Sequence, residues 1–406
     1  MLDKQRAVFR GRQFSLADRD DLPAAVRQRK AFLPDPLPSG IVLRPSTYGE
    51  LMAAQEAVGR LDAAMAQVPH RATVSRMLQA LDTRSSAAMD GVIVGRREVL
   101  AAAMPGAVAA DPHPRWPGYQ RVSEMIVELA RSDRSLDPTV WARMSAAMSG
   151  SDVPDDAFAE ELPWRRHITW TNSPAGEDLI VHAPPGAELR VATEQWCVWV
   201  REQRELPPLV TIILAQIQFL LISPFPGSAH LARQFPILML MRAGVLRDPV
   251  LPLATWLRRH EERYLAVIRG VLDRGDPDEL MVIAAEAIRE ACYQQIELVA
   301  ELTDVHRGTV AKVARRTAAV RLAEALIDRP MILVREIPEL CGVTGNHAVE
   351  VARRLHKEGL VEFVDLKTLG FQAEETISGK AIVATDIARL LTLVPSPGPE
   401  RQSSAG

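Results

Sequence analysis

The chain has 406 residues, 47% of them hydrophobic, and a formal net charge of −3. Length and apolar content suffice for two or three domains with full cores, and the charge excludes whole-molecule binding to a polyanion, so any nucleic-acid contact has to be a local patch. Four Tyr and nine Phe favour packed helices over a sandwich or barrel.

Residues 1–45 are charged, then proline-rich at Pro34, Pro36 and Pro38, and read as an N-terminal arm on the surface. The stretch 46–150 reads as a helical region. Ser46 or Thr47 is a plausible cap, and Leu51, Val58, Leu61, Met65 and Val68 recur on one helical face. A second helix is expected over 71–81, then a short one over 85–91 closed by Gly91. Pro105, Pro112, Pro114 and Pro117 punctuate the next connection, and helices are expected over 119–130 and 140–147.

A further region, 151–305, contains the one β signal of the helical body. Residues 164–172 alternate polar and β-favouring side chains, 173–176 read as a turn, and 179–182 return, which makes a β-hairpin with His167 and His182 on its surface. Trp164, Trp170, Trp196 and Trp199 are candidate core or hairpin anchors. Helices are expected over 192–202, 209–221, 235–244, 253–274 and 277–305. The last folded region, 306–394, shows a helix over 311–327, a short helix over 334–341, a turn at Gly342-Val343, a helix capped by Thr344 and ending at Lys357, and a strand over 359–364. That order is the pattern of a winged helix-turn-helix. The Pro/Ser/Gly-rich tail 395–406 reads as disordered.

Cys197, Cys292 and Cys341 are far apart with no C-x-x-C, so buried reduced thiols are expected rather than a disulfide framework or metal site. The first residues, Met1 to Arg6, lead into charge with no apolar h-region. The longest apolar run, 209–222, is too short for a bilayer and contains Thr211, Gln216 and Gln218. The expectation is a cytoplasmic protein with no membrane partner.

Two apolar segments meet at Ser223-Pro224-Phe225-Pro226-Gly227-Ser228-Ala229-His230-Leu231-Ala232-Arg233. Loop N–H groups at a helix start make an anion site. This loop resembles the signature His-Pro-Phe-x-Asp/Glu-Gly-Asn-Gly-Arg-x-x-Arg of Fic (filamentation induced by cAMP) proteins. Gly59-Arg60-Leu61-Asp62, Ser86-x-x-x-Asp90-Gly91, the 167–182 hairpin, Gln218-Phe219 and Arg242-Ala243-Gly244 resemble other family positions. The resemblance implies a mainly α fold: a Fic-type helical bundle with a β-hairpin flap and an N-terminal inhibitory helix carrying Ser86, Asp90 and Gly91, followed by the winged helix-turn-helix.

The spacing to Arg242 sets Arg233 as the last motif Arg, which leaves the loop one residue short. Gly227 then keeps a motif glycine, Ser228, Ala229 and His230 stand for Asn, Gly and Arg, and the metal-binding acid has no counterpart. The family transfers AMP from ATP with Mg²⁺ to a target hydroxyl, using the motif His as base. Ser223 occupies that position and has no basic form near neutral pH, and loss of a base alone removes roughly 10² to 10⁴ in rate. Without the carboxylate, Mg²⁺ lacks the oxygen ligand it prefers. Gly227, Ser228, Ala229 and Arg233 are the candidate nucleotide or anion contacts. His230 reads as a relocated base, as a phosphate donor when protonated, or as a helix-start histidine satisfied by solvent or backbone. Arg233 is expected to pair Asp90, as the family's inhibitory acid pairs the last motif Arg. Pro236 is favoured only in a first turn, so the helix is expected to start near Arg233.

In the C-terminal region, Thr344, Asn346 and His347 lie at the start of the expected recognition helix and Arg353, Arg354 and Lys357 along it. Residues 311–367 carry ten Lys/Arg against eight Asp/Glu, a net of +2, weak for a stand-alone DNA reader. The leading reading is a regulator without AMP transfer that binds DNA as a homodimer. The alternatives are an ATP/Mg²⁺-dependent nucleotidyl or phosphate-group transferase with a rearranged site, and a protein-interaction module.

Overall fold

The computed structural model describes residues 8–95, 99, 108–109, 113–154, 157–172, 176, 178–313, 317–365, 371–372 and 380–393. The chain begins with a hairpin, β1 (Gly11–Ser15) and β2 (Lys30–Pro34), with the short helix α1 (Ala24–Arg27) between them. The arm expected over 1–45 is therefore a folded part of the body from residue 8 onward. Its few apolar residues explain this: Val8, Phe9, Phe32, Leu33, Leu37 and Leu43 are all buried in the main core. Gln218 Nε2 also donates to the Asp35 carbonyl at 2.7 Å.

Helix α2 (Pro45–Met65) starts with Pro45 in its first turn and Arg44 as the cap residue. The expected cap Thr47 is inside the helix instead, with Oγ1 donating to Asp278 Oδ1. Helix α3 (Arg71–Met89) is continuous where two helices were expected. Its polar residues Asp82, Thr83, Ser85 and Ser86 are buried and hydrogen-bonded inside the protein, so they do not break it. Gly91 follows in the left-handed region at φ 76°. A two-residue strand β3 (Val108–Ala109) precedes α4 (Trp116–Ala130) and α5 (Pro138–Met148).

The flap is β4 (Trp170–Asn172) paired antiparallel with β5 (Leu179–Val181). It is shorter than the expected 164–172 strand, because Trp164 and Arg165 turn inward and are buried. Then follow α6 (Ala187–Glu202), α7 (Pro208–Ile222) and α8 (Ser228–Arg242). Helix α7 is apolar on nearly every side, which suits a helix surrounded by others. Trp141 of α5, Trp196 of α6, Phe219 of α7 and Phe235 of α8 meet with ring centroids 4.8–6.0 Å apart. This aromatic cluster fixes the α7–α8 pair, and hence the loop between them, at the centre of the body. Helix α8 begins at Ser228 and carries Pro236 in its interior, against the expected later start.

The expected 253–274 helix is two, α9 (Leu253–Arg259) and α10 (Glu261–Arg274), separated at His260. Helix α11 (Pro277–Val313) runs 37 residues, about 55 Å, along α2 and through the expected boundary at 305. The last region comprises α12 (Thr317–Asp328), β6 (Met331–Leu333), a short 3₁₀ turn, α13 (Ile337–Cys341), α14 (Gly345–Lys357), β7 (Val361–Asp365), β8 (Phe371–Gln372), β9 (Lys380–Ala384) and α15 (Thr385–Leu393). Helix α13, the left-handed Gly342 at φ 64° and α14 form the tight two-helix unit expected. The three-stranded antiparallel sheet in order β6-β9-β7, the β3–β8 pair and α15 were not foreseen. Pro105, Pro112, most of the expected 173–176 turn and the tail 395–406 lie outside the described residues. No described helix is long and apolar enough to cross a membrane. Cys197, Cys292 and Cys341 are free and buried.

Candidate functional site

Helix α7 ends on Ser223, which adopts φ 47°, a left-handed conformation that serine takes at a cost of roughly 1–2 kcal/mol. Gly227 closes the loop at φ 76°, and a Cβ there would come within 2.5 Å of the Met148 sulfur. Between them the loop spends its polar groups on itself. Phe225 N donates to Ser228 Oγ at 3.0 Å, while Ser228 Oγ and Ser228 N both donate to the Phe225 carbonyl. His230 N and Leu231 N both turn to the Gly227 carbonyl. Ser145 Oγ holds the Pro226 carbonyl at 2.7 Å. Four N–H groups that could cradle a phosphate are thus engaged within the turn.

Arg165 clamps the flap to this loop. Its backbone N donates to the Pro224 carbonyl at 2.9 Å, and its guanidinium donates to the carbonyls of Ser223 at 2.7 Å, Ile222 at 3.3 Å, and Ala183. Burial pushes its pKa down to about 10, which leaves it charged. A cation on the last carbonyls of α7 is favoured by the helix dipole. Within the flap, His182 is buried rather than on the surface. Its two ring nitrogens lie 2.9 Å from Thr169 Oγ1 and 3.0 Å from Thr171 Oγ1, and burial lowers its pKa to about 3. His167 is exposed, as expected.

The start of α8 docks on the end of α3. Arg233 Nη2 donates to Asp90 Oδ2 at 2.6 Å, with only 10% and 18% of the two side chains exposed. Its Nε donates to Ser86 Oγ at 2.6 Å, and Nη2 reaches the Ser86 carbonyl at 3.0 Å. Tyr119 of α4 donates its hydroxyl to the same Asp90 oxygen at 2.9 Å. Asp90 lies beside Arg233 as the sequence alignment anticipates, on charge-assisted bonds. Gly91 supplies the left-handed turn just after it.

His230 is fully buried, with Nδ1 2.8 Å from Ser86 Oγ and its ring edge-on to Tyr119 at 4.6 Å. Neither solvent nor backbone satisfies its side chain, and Nε2 has no described partner. Burial, reinforced by the Arg233 charge, lowers its pKa to about 3. The helix-start reading is corrected in one respect: His230 is satisfied by Ser86 rather than by solvent or backbone, and it is not among the residues lining the cavity between flap and loop.

A cavity of about 860 Å³ lies between flap and loop, with Ser223, Gly227, Ser228, Ala229, Asp90 and Arg233 among its lining residues. Sequence reasoning missed Arg165, Tyr119 and Asp82. Arg165 sits in a Trp-Arg-Arg run that reads as a strand surface, and no local signal marks it. Asp82, buried in α3, accepts from Thr255 N at 2.8 Å and Thr255 Oγ1 at 2.9 Å, capping α9. Among the described residues no group of three or more His, Cys, Asp or Glu is placed to hold a metal ion.

The second candidate surface is α14. Ala348, Val351, Ala352 and Leu355 form its buried face, while Thr344, Asn346, His347, Arg353, Arg354 and Lys357 are all exposed. His347 Nδ1 is 3.5 Å from Glu350. Arg353, Arg354 and Lys357 have no ion-pair partner among the described residues. His356 Nδ1 lies 2.9 Å from the Val361 carbonyl and its ring meets Phe363 edge-on, fixing α14 against β7.

No protein-family model matches the chain. In three dimensions the chain is similar to a Fic family protein from Desulfovibrio desulfuricans G20, at TM-score 0.50 and 14% identity over 84% of this chain and 97% of that one. A Fic domain-containing signaling protein from Bacteroides thetaiotaomicron VPI-5482 aligns at TM-score 0.45 and 13% identity, over 61% of this chain and 95% of that one. The first of these likenesses establishes the Fic fold, and the fold alone.

Proposed function

We propose that this Fic-fold protein does not transfer AMP and acts as a DNA-binding regulator through a C-terminal winged helix-turn-helix centred on α14. The observation that carries the reading is the exposed face of that helix, where Arg353, Arg354 and Lys357 stand without carboxylate partners among the described residues while the opposite face packs inward. Cations kept free in this way suit DNA phosphates, and Asn346 and His347 near the N-terminal end suit base edges.

The absence of transfer rests on the loop. Ser223 stands at the base position, His230 is buried and neutral, and Arg233 is committed to Asp90 and Ser86. ATP and Mg²⁺ have no loop carboxylate to meet. A homodimer would set two α14 helices one or more DNA turns apart and select a pseudo-palindromic site.

The test is a fluorescence-anisotropy titration of the full chain against a duplex from the promoter of its own gene and a scrambled duplex. The expected result is tighter binding to the promoter duplex, with a narrower preference lost in Asn346→Ala. Equal, weak binding to both duplexes, unchanged in Arg354→Ala, would move the C-terminal region to the protein-interaction class.

A further inference from the structure

The cavity between flap and loop has a wall unlike that of a polyphosphate site. Trp164, Trp170, Ile217, Leu220, Phe225 and Leu265 give it apolar and aromatic faces. Most polar groups at its edge already have partners: Asp90 with Arg233, His182 with the flap threonines, and Arg165 with backbone carbonyls. A volume of about 860 Å³ lies within the usual range for small-molecule sites.

Three polar lining residues without a carboxylate or amide partner among the described residues bear on the ligand. Gln216 is 94% buried on α7, and its amide has no hydrogen-bond partner among the described residues. Its amide offers one donor group and one acceptor at the cavity wall. Arg166 on the flap and Arg115 before α4 are exposed, line the cavity, and have no carboxylate partner among the described residues. Among the described residues the Arg115 side chain makes a long 3.4 Å bond to the Tyr119 hydroxyl and a cation–π contact with that ring.

We propose that this cavity binds a small aromatic monoanion, such as an aromatic carboxylate, with its ring against the tryptophan-lined wall, a polar substituent on Gln216 and its charge on Arg166. Buried apolar surface supplies most of the affinity, and a charge-assisted guanidinium bond supplies the orientation. A nucleoside triphosphate fits this wall poorly. Its several charges would face few free cations, because Arg233 and the N–H groups of Phe225, Ser228, His230 and Leu231 are already engaged. The site stands apart from the DNA reading, since its occupancy is measured without DNA.

The test uses the full chain and 8-anilinonaphthalene-1-sulfonate, an aromatic monoanion whose fluorescence rises on burial. The expected result is saturable binding of one equivalent, with energy transfer from tryptophan. 2-Naphthylacetate should displace it at least tenfold better than the uncharged 2-naphthylacetamide, and ATP with Mg²⁺ should not displace it. Arg166→Gln, at an exposed position, should weaken the carboxylate about tenfold and leave the amide unchanged, as expected for loss of one charged hydrogen bond. Ala229→Trp, which fills the cavity from the loop side, should abolish binding while the far-UV spectrum is retained. Binding that does not saturate, equal displacement by acid and amide, or undiminished affinity in a folded Ala229→Trp protein would overturn the proposal. If Ala229→Trp fails to fold, Arg166→Gln alone decides.

Discussion

At the scale of single residues, the loop turns four of its N–H groups onto its own carbonyl and hydroxyl oxygens. Ser223 can accept and donate a hydrogen bond but cannot act as a base near neutral pH. Incubation with labelled ATP, Mg²⁺ and a cell lysate should therefore give no labelled band, and Ser223→His should give none either, because the loop has no carboxylate for the metal. A band that disappears in Ser223→Ala would contradict this. The buried histidines predict an acid dependence of stability. His182 and His230 have folded pKa values lowered to about 3, below the usual value near 6.5, so the unfolded chain takes up their protons first as pH falls. Their contribution is present above pH 6.5 and is lost on acidification, about 1.5 kcal/mol per histidine between pH 6.5 and 5. Asp82 works the other way: burial raises its pKa to about 6, so its contribution is present below the ordinary carboxylate range and is lost as pH rises through 6. Two histidines outweigh one aspartate over pH 5–6.5. Urea midpoints should fall across that window, and His182→Gln should flatten the fall. A midpoint independent of pH would show that these imidazoles are solvated.

At the scale of elements, the decisive contact is between the flap and the end of α7. Arg165 satisfies several carbonyls at once, and Arg165→Leu would leave them buried and unpaired. The expected cost is about 2–4 kcal/mol, with faster hydrogen exchange in residues 166–183 than in α7. Unchanged exchange in that segment would place the flap's anchoring elsewhere, in Trp164 stacked on Phe225 for instance. How far the sequence discloses each element follows from what its residues do. The α7–loop–α8 unit was legible because two apolar runs flank a Pro/Gly turn. The Asp90–Arg233 pair was legible because the family resemblance aligned both ends. Continuity of α3 was hidden, since Asp82, Ser85 and Ser86 look like a break and become polar core only when α8 and α9 pack on them. The β1–β2 hairpin was hidden by charge, with its apolar residues reading as scattered until they meet α6 and α7. Pro236 misled in the opposite sense: tertiary packing holds a proline that local preference would move to a helix start.

At the scale of the whole molecule, a single helix links body and C-terminal region. Helix α11 lies along α2 and α10 in the body and contacts α12 and α15 beyond it, so one rigid rod carries the α13–α14 unit. On the proposed reading, the body serves as a scaffold that presents α14. The measurement that tests this most directly is the salt dependence of promoter-duplex binding by the full chain and by Arg354→Ala. The account predicts log-linear weakening with salt, a slope smaller by about one unit in Arg354→Ala, and lower affinity for every sequence tried, as expected for one lost phosphate contact. Binding that ignores salt, or an unchanged slope in Arg354→Ala and in Arg353→Ala, would contradict it.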